Sequence, residues 1–156
     1  KLFEEDDKKW YSFGFNFQAY NIRTNSNLYP EFNILWKNVN SIGPSGGLLQ
    51  AFYVYEKLTG AKLSDGLKIS GTGTIDIDGN AGLIGGIEQK IITSELCGVD
   101  IFFIPVTSSD YLNNPDEVNY IDALTAYNKL NNPNMVIAPV WSLESLISAI
   151  KLYRGE

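Results

Sequence analysis

Apolar and polar positions change rhythm several times along the chain. Tyr11, Phe13, Phe15, Phe17 and Ala19 alternate with Ser12, Gly14, Asn16 and Gln18. A period of two sends successive side chains to opposite faces, so this stretch predicts a strand that buries one aromatic face. Ahead of it, Glu4 to Lys9 is charged and reads as a frayed lead-in within residues 1–9. Residues 21–30 are polar and turn-rich, which predicts a loop. Phe32, Ile34 and Trp36 then alternate again and run into Ile42-Gly43-Pro44-Ser45-Gly46-Gly47.

Beyond that turn the rhythm becomes helical. Gly47 to Leu58 predicts a mostly buried helix with Gly60 as its stop. Lys68 to Ile77 is rich in Thr and Ile and lies between Asp65-Gly66 and Asp78-Gly79, so it predicts one strand ending in a hairpin-like turn. Ile87 to Leu96 predicts a helix closed by Gly98. Ile101-Phe102-Phe103-Ile104-Pro105 is wholly apolar, as a strand covered on both faces would be. A loop at 110–114, a helix within 116–130, a turn at 131–134, a strand from Met135 to Val140 and a final helix capped by Ser142 complete the chain. Strand–helix alternation in this half implies parallel pairing, and the N-terminal strands imply antiparallel pairing. The expected fold is therefore α+β, a single domain over 1–156 with a mixed sheet and flanking helices. No internal repeat or linker interrupts it.

Composition narrows the function. The 156 residues include eight Phe, nine Tyr and three Trp, enough for a packed core. A net charge of −6 disfavours a nucleic-acid partner, since phosphate binding needs a basic face. The one cysteine, Cys97, permits no intrachain disulfide and reads as core filler on a helical face with Ile87, Ile91 and Leu96. No apolar run reaches the ~20 residues of a membrane helix. The start at Lys1-Leu2-Phe3-Glu4 suggests a fragment of a longer protein, so membrane attachment is expected only through a segment outside this chain. The compartment is left open between an anchored, outward-facing location and the cytoplasm.

Two small-residue turns carry the candidate chemistry. The first presents Ser45 at the mouth of a helix; the second, Gly85-Gly86-Ile87-Glu88-Gln89-Lys90, places a lysine in the first turn of another. Taken alone, Ser45 reads as a helix N-cap and Lys90 as a surface lysine paired with Glu88 or Glu95. With no histidine in the chain, a nucleophilic serine needs a carboxylate or a neutral lysine as its base. Lys90 qualifies, because an apolar setting and the positive end of a helix both favour the uncharged amine. Backbone N–H groups around Ser45, Gly46 and Gly47 are the candidate oxyanion donors. Asp76-Ile77-Asp78-Gly79-Asn80 imitates the start of a calcium loop, yet Ile87 stands where its closing glutamate belongs. Gly71-Thr72-Gly73 lacks the third glycine of a dinucleotide fingerprint. No metal or cofactor is expected.

Gly43-Pro44-Ser45-Gly46-Gly47, Lys68 to Ile75, Asp78-Gly79 and Ile84-Gly85-Gly86-Ile87 with Lys90, in that order and spacing, resemble the proteolytic domain of Lon proteases. The closest likeness is to Lon-like proteases without an ATPase module. It runs from about Phe32 to about Asp110. The resemblance implies an ATP-independent serine endopeptidase whose Ser-Lys dyad falls on Ser45 and Lys90. Gly43, Pro44, Gly46 and Gly47 shape the turn, with Thr74, Asp76, Gly85 and Gly86 around it. It also implies a peptide or protein substrate and a homo-oligomer, with a hexamer as the family's usual ring. The chain departs from the family at Gly46, where alanine is usual, and at Ile42, where other members carry an acid. A threonine that the family holds near the dyad aligns with Asp76. These departures motivate an alternative, a catalytically impaired domain that binds peptides or serves assembly. An esterase using the same serine is a third reading.

Overall fold

The apolar stretch Ile101–Pro105 (strand β6) is the middle of a three-stranded parallel sheet. The computed structural model describes residues 2–5, 8–11 and 44–156, which divide between two units, 1–43 and 44–156. In the first unit, β1 (Leu2–Glu5) and β2 (Lys8–Tyr11) pair antiparallel, with Glu4 opposite Lys9 and Glu5 opposite Lys8. The stretch expected as a frayed lead-in thus forms two paired strands. The remainder of the predicted Tyr11–Ala19 strand, the loop at 21–30 and the Phe32 strand lie outside the described residues.

The second unit follows the predicted order closely. Helix α1 (Gly47–Thr59) ends at Gly60, as expected. Strands β3 (Ile69–Gly71), β6 and β7 (Val136–Val140) form the parallel sheet in the order β3-β6-β7. Helices α2 (Ile87–Leu96) and α3 (Val118–Asn128) occupy the connections between them. Helix α4 (Leu143–Arg154) begins at Ser142, whose hydroxyl accepts from the Ser145 amide in a reciprocal capping box. A short antiparallel hairpin, β4 (Thr74–Ile75) with β5 (Ala81–Gly82), turns through Asp78-Gly79. Together the elements make an α+β fold with mixed pairing.

Alternation along β6 explains the layering. Phe102 and Ile104 face a cluster with Ile87, Ile91, Ala123, Ala126 and Met135, which is the α2–α3 side. Ile101 and Phe103 face Leu48, Phe52, Val140, Leu146 and Ile150, which is the α1–α4 side. All five β6 residues are buried, because helices cover both faces of the sheet. No helix among the described residues is long and apolar enough to cross a membrane.

Two further expectations fail. Lys68–Ile77 is not one strand; it breaks at Thr72-Gly73 into β3 and β4. Cys97 is exposed rather than core filler. The buried face of α2 is Ile87, Ile91 and Ser94, spaced four and three residues apart, and Leu96 and Cys97 fall off that stripe.

Candidate active site

The broken strand is what builds the site. Thr72 stays attached to the sheet, its amide donating to Phe103 O at 3.0 Å. Gly73 then turns out of the sheet at φ +143, a conformation L side chains rarely adopt. Its amide donates to Ser45 O (2.8 Å), and its carbonyl accepts from the Leu48 amide (3.0 Å). The Gly73 backbone therefore clasps the serine turn from both sides.

Pro44-Ser45-Gly46 is a single turn of 3-10 helix that runs directly into α1. Gly46, not Ser45, occupies the N-cap of α1, and no side chain caps the helix. Ser45 does not serve as the cap that it resembles in isolation. The Leu48 amide is committed to Gly73, so any oxyanion donors belong to the earlier residues of the turn.

Lys90 arrives from the opposite side of the sheet. Gly86 forms the N-cap of α2 at φ +71, which a residue with a Cβ would occupy only under strain. This reversal lets the half-buried Lys90 side chain fold back over the start of its own helix. Its Nζ donates to Gly85 O (3.1 Å) and to Thr72 Oγ1 (3.1 Å). Thr72 Oγ1 in turn donates to Ser45 O at 3.0 Å. Glu88 pairs with Lys129 instead, and Glu95 accepts the amides of Asn134 and Met135, so neither acid is the partner of Lys90.

The direction of each bond can be assigned without seeing a hydrogen. Ser45 O and Gly85 O only accept. Thr72 has one hydroxyl hydrogen, and Ser45 O takes it, so Thr72 must accept from Lys90. A neutral lysine amine has two hydrogens and one lone pair. With both hydrogens engaged by Thr72 and Gly85, the lone pair remains to receive a proton. Burial pushes the Lys90 amine below the ordinary lysine range, toward that neutral form.

The other expected residues divide clearly. Pro44, Ser45, Gly46 and Gly47 form the turn and helix start, while Gly85 and Gly86 shape the lysine loop. Gly43 and Ile42 lie outside the described residues. Thr74 pairs with Gly82 in the hairpin. Asp76 secures its own turn: Oδ1 accepts the amides of Asp78 and Asn80, and Oδ2 accepts the Asn80 side chain. The Asn80 side chain, ahead of those amides, holds the Asp76 carboxyl below its usual range. Thr72, not Asp76, is the residue bonded to both the lysine and the serine turn. Sequence reading overlooked it, although a threonine between two glycines inside a strand pattern was the available signal. Among the described residues no hydrogen bond joins Ser45 to Lys90 directly; Thr72 links them.

No family model matches the chain. The Lon protease of Aster yellows witches'-broom phytoplasma is 32% identical over 109 residues, covering 69% of this chain and 12% of the relative. The Lon protease of Mycoplasma pneumoniae is 32% identical over 102 residues, covering 63% of this chain and 12% of the relative. The chain carries a Lon-related region. An alignment over 69% of 156 residues necessarily includes the middle of the chain, so the Lon-related region contains Thr72, Gly85, Gly86 and Lys90. The match spans about an eighth of the length of each Lon relative.

Proposed function

We propose that this chain is the proteolytic region of a Lon-like serine endopeptidase, with Ser45 as nucleophile and Lys90 as general base. The observation that carries the reading is the bonding of Lys90 Nζ. Two acceptors, Thr72 Oγ1 and Gly85 O, engage its hydrogens beside the serine turn, and burial favours the neutral amine. In the proposed reaction, Lys90 takes the Ser45 Oγ proton as Oγ bonds to the peptide carbonyl carbon. The oxyanion is met by backbone N–H groups from Ser45, Gly46 and Gly47. Collapse breaks the C–N bond, and Lys90 returns the proton to the leaving amine. Lys90 then deprotonates a water that attacks the acyl-enzyme, and the proton passes back to Ser45 Oγ. The proposed peptidase is ATP-independent, a reading that rests on the likeness to Lon-like proteases without an ATPase module and not on the hydrolytic steps, which consume no nucleotide in any case.

The test is peptide cleavage against pH, with and without ATP, for the native chain, Ser45→Ala and Lys90→Gln. Both variants are expected to lose about 10³-fold or more in kcat. The native rate should rise with pH, because the neutral amine is the active form, and should not respond to ATP. A fully active Lys90→Gln overturns the dyad. Native protein that binds peptides without cleaving them replaces the peptidase with a binding module.

A further inference from the structure

The loop that supplies Gly85 O is held by a residue outside both glycine motifs. Residues 83–86 belong to no helix or strand, and an added Cβ at Gly85 would meet nothing within 4 Å. Side-chain packing at Gly85 therefore does not fix this carbonyl, and two consecutive glycines make the backbone there especially free. Immediately before them, both backbone groups of Ile84 are bound by one side chain. The Ile84 amide donates to Asn119 Oδ1 (2.9 Å), and Asn119 Nδ2 donates to Ile84 O (2.7 Å). Asn119 sits in the first turn of α3 and is 3% exposed. The pairing fixes its amide orientation, since an amide N–H only donates and a carbonyl only accepts. A side-chain amide this buried needs hydrogen-bond partners, and Asn119 finds an acceptor and a donor in the Ile84 backbone.

We propose that Asn119 is a positioning residue: it anchors Ile84, thereby fixing the Gly85 carbonyl to which Lys90 donates and aiming the Lys90 lone pair toward Ser45. This rests on the proposed dyad. Gly86 supplies the bend and Asn119 supplies the fixed point, so the base is set from α3, the next α-helix along the chain.

The experiment compares the native chain, Asn119→Ala and Tyr127→Phe. Tyr127→Phe removes a different partly buried hydrogen bond from the same helix, to Met135 O, and controls for lost stability. Two quantities are read: kcat and KM on a peptide, and the Lys90 titration followed by the 13C resonance of its Cε. Asn119→Ala is expected to lower kcat about 10- to 100-fold, the scale of a small misplacement, with KM changed less than about threefold. Its Lys90 midpoint should move up toward ordinary lysine, because a loosened loop admits water to the amine. Tyr127→Phe should leave kcat and the midpoint at their native values. Native kcat and midpoint in Asn119→Ala, with only a lower Tm, would overturn the proposal. Because the midpoint is read without turnover, it still decides the role of Asn119 if Lys90→Gln proves active and the dyad itself fails.

Discussion

Thr72 concentrates the residue-scale argument. It is 1% exposed and bonded to both halves of the site, so its hydroxyl has no solvent to fall back on. Thr72→Val preserves the shape while deleting the acceptor for Lys90 and one donor to Ser45 O. It should cost about 1–3 kcal/mol of stability by denaturant titration and lower kcat by about 10-fold or more. Thr72→Ser, which keeps the hydroxyl, should recover most of both. The sign of the pH dependence follows from Lys90. Its folded pKa lies below the ordinary value, so the neutral base accumulates, and the rate climbs, at lower pH than an exposed lysine would allow. A rate limb at the position of free lysine would contradict this. Cys97 gives a simpler check: being exposed, it should react with a thiol reagent in native protein, one equivalent per chain, without loss of peptidase activity.

Glycines decide the geometry at the scale of elements, and only where the backbone turns. Gly73 converts a strand into a clasp around the serine turn, and Gly86 folds the start of α2 so that Lys90 points back at it. Gly86→Ala places a Cβ in the left-handed region and should cost about 1–2 kcal/mol. The same change should lower kcat by shifting Gly85 O, a combination separable by comparing melting with steady-state rates. Helix α2 was legible from its periodicity, yet the boundary of its buried stripe was not. The stripe runs Ile87, Ile91, Ser94, so a small polar residue completes the face that the sequence reading assigned to Leu96 and Cys97. Ser94 bonds to Ser70 on β3, which is a pairing across elements that no local pattern announces.

For the described unit as a whole, the parallel sheet covered on both faces sets stability and brings the two motifs together. Phe103 and Ile104 are adjacent, fully buried, and face opposite helix pairs. Phe103→Ala should cost about 3–5 kcal/mol and Ile104→Ala about 2–5 kcal/mol in urea titration. A sheet open on one side would give one large and one negligible value. The β3–β6 register, with Gly71 opposite Phe103, fixes where the chain leaves the sheet at Gly73 and hence where the serine turn docks.

The sequence by itself determined the order of the helices and of the sheet strands from Gly47 onward, a parallel component, and Ser45 and Lys90 as the residues to examine. It did not determine the break of Lys68–Ile77 into β3 and β4, or the strand β5. The elements follow from hydrophobic period and small-residue turns; Ser45 and Lys90 follow from those turns, the absence of histidine and the resemblance of the motifs' order and spacing to Lon. Tertiary structure decided that Thr72 bridges the two motifs, that Asp76 serves its own turn, that Cys97 faces solvent and that Asn119 holds the lysine loop. Each of those depends on strand register or on contacts between residues far apart in sequence. Asn119 lies 35 positions from Ile84 and Thr72 lies 27 from Ser45, distances over which no periodicity carries information.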